Sequence, residues 1–350
     1  MYISSYKLSS MELPLKNPFV TSLRRVEFID NIILELTTDE NLVGFGATAP
    51  TVAITGESKE DIIETIEKII LPTILNKKLE PSLLDEVQKC CEKHTSAKAC
   101  VDIALHDLLA QEANMPLFEY LGGTYKTLET CITVSLGEVD EMLIHSKEAY
   151  ESGFEQLKIK LGSSVKHSIE VVEKIHKALP NAKLLLDANQ AWNFHDAKII
   201  IKSLKDIPIV LVEQPLKKEM LYELMELKML DIFPILADES VFNYLDAKKV
   251  IELNSCDMIN IKLMKCGGIR EALKIVDIAK ANNIPCMIGS MLEHPISVAA
   301  AAHFALSSDI IKFFDLDAPI LASYNPIDRA LHYDNNIIHL TKNNGLSIIN

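Results

Sequence analysis

Positive charge is scarce in this chain: 35 Lys and Arg stand against 49 Asp and Glu, a formal net charge of −14 over 350 residues. A nucleic acid or an anionic membrane needs a basic surface, so neither is expected as a partner. Lysine pairs such as Lys217 and Lys218 read as solvated helix ends. Long apolar runs are also missing. Ile296 to Leu306 comes nearest, but it is short and contains His303, so no membrane span is expected. Met1 to Phe19 is broken by polar residues and prolines and lacks the apolar core of a secretory signal. The expected location is the cytoplasm. Seven cysteines, an odd number with no Cys-x-x-Cys spacing, argue against a disulfide framework and read as small buried apolar groups. No Walker sequence, Gly-x-Ser-x-Gly or Gly-x-Gly-x-x-Gly occurs, and there is no low-complexity segment.

What is present is a repeat. From Lys158 onward an apolar run ends in an ionisable or polar residue, a helix-like stretch follows, and the pattern returns. The terminal residues are Lys160, Asp187, Glu213, Asp238, Lys262, Ser290 and Asp315, about 24–28 residues apart. That period fits one strand plus one helix and two loops. A buried parallel strand carries charge only where it leaves the core, and in a closed α/β barrel all such exits open on the active-site face. Counting from Cys131 to Leu136 gives eight strands. An apolar fraction of 48% is ordinary for a globular enzyme, and the length exceeds one usual domain. Strand-like runs at Tyr2 to Leu13, Val26 to Thr37 and Leu42 to Ala47, with helical periodicity over Lys59 to Ile74, Leu83 to Cys91 and Ser96 to Ala113, predict a separate α+β domain before the barrel. Two loop-like segments, 18–25 and 49–57, are placed to cover a site of the other domain.

Asp187, Glu213 and Asp238 end three consecutive strands and can share one cation. All-oxygen ligands favour a hard divalent ion, magnesium where positions stay open for substrate. Any one acid alone reads as readily as a strand-end ion pair. Lys158 and Lys160 are two apart on the second strand and point the same way. Lys262 ends the sixth strand, diametrically opposite Lys160. A carbon held between Lys160 and Lys262 has a base on each face, so proton removal on one side and return on the other inverts it. The enediolate between the two steps would be stabilised by magnesium, and magnesium together with Lys158 is expected to lower the lysine pKa values.

Lys158-x-Lys160, Asp187-Ala188-Asn189, Val212-Glu213-Gln214-Pro215, Ala237-Asp238-Glu239-Ser240 and Asn260 to Gly268 resemble, in order and across essentially the whole chain, the muconate-lactonizing subgroup of the enolase superfamily. The resemblance implies a modified (β/α)7β TIM-type barrel with an N-terminal α+β capping domain completed by the C-terminal tail: 1–123 cap, 124–319 barrel, 320–350 tail. It also implies Mg2+ as cofactor with Asp187, Glu213 and Asp238 as ligands, and Asn189 behind them. A Lys or His base with magnesium is a known pattern of that superfamily. Gly289 to Glu293 and Asp315-Leu316-Asp317-Ala318-Pro319 are most similar to the dipeptide epimerases, in which an Asp-x-Asp pair holds the substrate ammonium group. Lys158 would then help bind the substrate carboxylate, with Thr133 and Ser290 facing the substrate. Arg24, in Thr21-Ser22-Leu23-Arg24, is similar to the capping-loop arginine of Ala-Glu epimerases. It reads equally as an exposed loop cation, as does Arg25.

The expected activity is inversion of the C-terminal α-carbon of a dipeptide, L-Ala-D/L-Glu or a broader set. A cycloisomerase or o-succinylbenzoate synthase would share the metal and lysines but has no use for the Asp315/Asp317 pair. A Schiff-base aldolase on Lys262 and a non-catalytic binding barrel are the rivals of other classes. His303 reads as a packed helix residue, Trp192 as pocket rim or core, and Gly267-Gly268 as a phosphate-facing helix start or a tight turn. Superfamily relatives are often homo-oligomers, and the oligomeric state is left open.

Overall fold

The computed structural model describes residues 1–348. The chain begins with three antiparallel strands, β1 (Ile3–Val20), β2 (Arg25–Thr38) and β3 (Val43–Thr48), in that spatial order. β1 runs well past the expected Leu13, and most of segment 18–25 is hairpin rather than loop. Phe19 pairs with Val26 and Val20 with Arg25, and Thr21 N donates to the Arg24 carbonyl at 2.9 Å to close the turn. Pro14 and Pro18 are loop signals in the sequence. They are tolerated because β1 is an edge strand whose register shifts between Pro14 and Phe19. Segment 49–57 holds one helical turn, Val52–Thr55.

Helix Lys59–Thr65 starts at a capping box between Ser58 and Asp61. Helix Thr95–Glu112 lies between the cap sheet and the barrel and is buried on all sides from Ser96 to Ala110, which is what an apolar pattern all round a helix predicts. β3 crosses it so closely that a Cβ on Gly46 would come within 1.9 Å of the Cys100 carbonyl oxygen. The acids of this helix serve as connectors. Asp107 accepts from Phe45 N at 2.8 Å and Leu346 N at 2.7 Å.

After a short β4 (Leu128–Glu129), eight parallel strands follow: β5 (Ile132–Val134), β6 (Gln156–Lys160), β7 (Lys183–Asp187), β8 (Ile209–Glu213), β9 (Ile235–Ala237), β10 (Met258–Lys262), β11 (Cys286–Gly289) and β12 (Ile311–Asp315). Cys131 N donates to the Phe314 carbonyl at 3.0 Å and draws the first and last strands together. Leu185, Leu211, Leu236, Met258 and Met287 fill the barrel as one apolar layer. Side chains alternate along a strand, so the residues two further on also point inward, at the mouth: Asp187, Glu213, Asp238 and Asn260. The apolar floor and the charged rim are therefore one pattern.

The chain ends in a hairpin, β13 (Leu331–Asp334) and β14 (Ile337–Leu340), paired to β4. Gly345 then exchanges backbone hydrogen bonds with Met115 and Leu117 beside the cap helix. Residues 349 and 350 of the expected tail lie outside the described residues. Among the described residues no helix is long and apolar enough to cross a membrane.

Candidate active site

The register of the parallel strands sets Lys160, Asp187 and Glu213 side by side, and inward alternation brings Asp238 and Lys262 to the same mouth. Lys160 is the partner of Asp187 on the next strand, Asp187 of Glu213, and Lys262 of Gly289. All of them are buried. Lys158 Nζ stands 3.1 Å from Asp187, 2.7 Å from Glu213 and 2.7 Å from Asp315. Lys160 Nζ lies 2.6 Å from Asp187 Oδ2 and donates to Asn189 Oδ1 at 3.1 Å. Lys262 Nζ lies 2.8 Å from Asp238 Oδ2. Lys160 and Lys262 line the same cavity, of about 60 Å³, together with Thr133, Asn189, Asp238, Ser290, Asp315 and Asp317.

The three acids are neighbours, but each is drawn to a lysine ammonium, and among the described residues no three acidic, His or Cys side chains converge on one point as they stand. The donor set nevertheless fits a hard cation. Glu213 Oε2 and Asp238 Oδ1 are buried without a hydrogen bond of acceptable geometry, although Lys158 and Lys265 form ion pairs with them at 2.7 and 2.6 Å. Burial, and then the Asp187 carboxylate, push the Glu213 carboxyl up to about 7. Burial would raise Asp187 as well, but Lys160 and then Lys158 hold it at about 2. All three acids are buried oxygen donors at the barrel mouth, the ligand type that a hard cation takes.

Carboxylate neighbours set the state of two of the lysines. Burial would lower Lys262, but the Asp238 carboxylate outweighs it and holds the ammonium above its ordinary range. Lys158 is held well above its ordinary range in spite of burial, by Asp315, Glu213 and Asp187 in that order. At Lys158 and Lys262 the carboxylate neighbours overcome desolvation, while the charge of Lys158 lowers Lys262, as expected of that neighbour; the lowering expected from magnesium would come with the bound ion.

Asp315 and Asp317 both reach the cavity, though not by strand alternation as expected. β12 ends at Asp315, and Asp317 has helical backbone, φ −89° and ψ −4°, at the start of the turn Ala318–Leu321. Asp317 Oδ2 accepts from Thr133 N at 2.6 Å. Burial, and then the charge of Asp315, lift the Asp317 carboxyl to about 6. Ser290 N donates to the Asp315 carbonyl at 3.0 Å.

The cap hairpin covers the mouth. Ser22 Oγ at its tip lies 3.3 Å from the Ala188 carbonyl and 3.2 Å from the Asn189 carbonyl. Phe19 places its ring centroid 5.9 Å from Lys160 Nζ. The structure separates the two arginines. Arg24 lines the cavity, burial lowers its pKa, and among the described residues it has no ion pair. Arg25 is exposed and 3.5 Å from Glu27.

Three residues of the site carried no role in the sequence reading. Lys265 is buried against Asp238 Oδ1 at 2.6 Å and donates to the carbonyls of Val241 and Asn260 at 2.9 and 3.0 Å. Asn260 donates to Glu213 Oε1 at 2.9 Å, and Glu239 accepts from Asn189 Nδ2 at 3.2 Å. Each sits inside a quoted motif, and the inward alternation from Met258 could have found Asn260. Other candidates fall away. Trp192 is core, its Nε1 donating to the Gly162 carbonyl at 3.0 Å, and His303 stacks on Phe118. Gly267-Gly268 is a tight turn, both residues at positive φ. The helix N–H groups of Ile269 and Arg270 after it are taken by Asp102 Oδ1, so no phosphate site forms there.

Residues 5–122 match the mandelate racemase/muconate lactonizing enzyme N-terminal domain, and residues 141–349 match the enolase C-terminal domain-like family. The L-amino acid-D/L-Glu epimerase of Sulfurimonas denitrificans is 43% identical over 324 residues, covering 92% of this chain and 94% of that protein. The substrate-liganded L-Ala-D/L-Glu epimerase of Bacillus subtilis superposes with a TM-score of 0.97 at 38% identity, over 99% of this chain and 98% of that one. A dipeptide epimerase of Enterococcus faecalis, complexed with Mg and the dipeptide L-Leu-L-Tyr, gives 0.93 at 37% identity, over 99% of each chain.

Proposed function

The chain belongs to the mandelate racemase/muconate lactonizing enzyme family of the enolase superfamily, and we propose that within it the protein is a magnesium-dependent dipeptide epimerase. The observation that carries this reading is the placement of Lys160 and Lys262 on β6 and β10, at opposite walls of one cavity that Asp315 and Asp317 also line.

Asp315 and Asp317 hold the N-terminal ammonium of the dipeptide, a charge-assisted contact that orients the backbone. Lys158, whose ammonium pairs with Asp315, would take the substrate carboxylate, and Thr133 and Ser290 line the cavity that Asp315 also reaches. One of Lys160 and Lys262 removes the α-proton of the C-terminal residue, and the other returns a proton to the opposite face. Asp187, Glu213 and Asp238 would hold magnesium, which when bound supplies fixed positive charge against the carboxylate as the α-carbon gives up its proton. Closure of the cap hairpin by Ser22 excludes water from that exchange. Arg24, a cation at the cavity wall without a protein partner, favours an acidic second side chain, so L-Ala-D/L-Glu leads a broader set of dipeptides. The absence of a membrane-length helix and the acidic charge balance favour the cytoplasm. A cycloisomerase or o-succinylbenzoate synthase would leave Asp317, which pairs with no lysine among the described residues, without a cation to bind.

The test is turnover of L-Ala-L-Glu in D2O. Epimerisation should place one deuterium on the α-carbon of the inverted residue. Lys160→Ala and Lys262→Ala should each stop inversion, while each still exchanges the α-proton of one epimer through its surviving lysine. Near wild-type inversion by either variant refutes the two-base reading.

A further inference from the structure

Lys160 can serve as a base only if its lone pair faces the substrate. Nζ is tetrahedral, and two of its three outward directions are fixed, by Asp187 Oδ2 at 2.6 Å and Asn189 Oδ1 at 3.1 Å. The third points to the cavity that Lys160 lines. The amide of Asn189 therefore decides the aim of the base. An amide has an acceptor end and a donor end of nearly equal shape. Turned over, Asn189 would offer Nδ2–H to the lone pair of the neutral amine and take the base out of use. The backbone of Asn189 is held on both sides, its N–H by Asp187 Oδ1 at 2.9 Å and its carbonyl by Ser22 Oγ, so rotation of the amide is the freedom that remains.

Glu239 removes that freedom. Its Oε1 accepts from Asn189 Nδ2 at 3.2 Å. Burial pushes this carboxyl up to about 7, and whether it is ionised or carries its proton on the unpartnered Oε2, Oε1 is an acceptor, which turns Nδ2 to Glu239 and Oδ1 to Lys160. Glu239 also differs from the three acids at the ends of β7, β8 and β9. Asp187, Glu213 and Asp238 each have a lysine ammonium in contact, whereas Glu239 is buried, has no ion pair among the described residues, and leaves Oε2 without a partner. Burying such a group costs stability, and its one hydrogen bond goes to the amide behind Lys160.

Resting on the epimerase reading, we infer that Glu239 is a positioning residue for Lys160, acting through the Asn189 amide. Lys262 has no such relay: among the described residues its ammonium makes one hydrogen bond, to Asp238, and none to an amide. The effect of losing Glu239 must then be one-sided. The experiment measures α-proton exchange of each epimer of Ala-Glu separately in D2O, with magnesium-loaded enzyme. Lys160→Ala identifies the epimer that depends on Lys160. Glu239→Leu, which removes the acceptor, should slow exchange of that epimer by at least about tenfold, a part of the roughly 100-fold or more that a positioned base contributes, and leave the other little changed. Glu239→Gln, whose own amide can turn either its oxygen or its nitrogen to Asn189, should restore only part of the loss. Equal losses for both epimers, or no loss in either, overturn the assignment while the epimerase reading stands. If Glu239→Leu does not accumulate as folded protein, Asn189→Leu reads the same relay from its middle member, and symmetric exchange there overturns the assignment too. No exchange in the wild-type enzyme would overturn the epimerase reading itself, and the relay with it.

Discussion

Lys160 and Asp187 are register partners on neighbouring parallel strands, and their side chains meet at 2.6 Å. A proposed base and a proposed metal ligand thus share one carboxylate oxygen. Lys158 also reaches that oxygen, at 3.1 Å, so the site balances buried carboxylates against buried ammonium groups. Adding or removing charge at this level acts on metal binding and proton transfer together.

Metal dependence follows from that balance. Chelation should abolish epimerisation and Mg2+ should restore it. Asp238→Asn is a poor probe, because it would leave two buried ammonium groups, Lys262 and Lys265, facing a neutral amide, and such a loss costs about 3–5 kcal/mol. Glu213→Gln is better: the amide oxygen can still accept from Asn260, which now bonds Glu213 Oε1. This variant should keep its circular dichroism and bind Mg2+ at least about tenfold more weakly by calorimetry, one lost carboxylate ligand being worth 1.4 kcal/mol or more. Full activity in a metal-stripped preparation would sink the idea.

How much of this was legible follows from how each residue is specified. Asp187, Glu213 and Asp238 were readable because a buried parallel strand tolerates charge only at its exit, and Lys160 opposite Lys262 followed from counting strands. The course of β1 was not readable, because Pro14 and Pro18 suggest a loop unless the strand is known to lie at an edge. Asp317 was assigned to the cavity for an inexact reason: its helical backbone, not strand alternation, turns it inward. The Glu239–Asn189 contact joins the ends of β9 and β7, residues 50 apart, and only the barrel's closure brings them together. The pKa of Lys262 depends on the distance to Asp238, which a sequence does not contain.

Specificity should divide between the two ends of the substrate. N-acetylation of Ala-Glu removes the charge that Asp315 and Asp317 would pair with, and leaving a buried carboxylate without its partner costs about 2–5 kcal/mol. That corresponds to a fall of roughly 30-fold or more in kcat/KM. Arg24→Ala should act selectively, lowering kcat/KM for Ala-Glu by roughly tenfold while Ala-Leu and Ala-Phe change little. Equal losses on all three dipeptides would show that Arg24 does not read the second side chain, and the preference for glutamate would be withdrawn in favour of a broader epimerase.

Acid should unfold the protein through two histidines remote from the lysines. Burial lowers His303 to about 3 and His294 to about 4. Each begins from about 6.5 in the unfolded chain, so between those values the unfolded state holds protons that the folded state refuses. Stability therefore rises with pH across that window, is fully present above about 6.5, and is lost as pH falls toward 4 and below. His303 is fully buried, its Nδ1 accepting from Phe118 N at 3.1 Å and its Nε2 without a partner, so protonation there would put a lone charge in the core. The full linkage is on the order of a few kcal/mol. The melting temperature measured from pH 7 to pH 4 should fall steeply in the wild type. It should fall less in His303→Gln, which can still accept from Phe118 N but carries no titrating group. If the two proteins lose stability in parallel, His303 is not the residue that acid attacks, and the acid sensitivity must come from the carboxylate pairs of the barrel mouth.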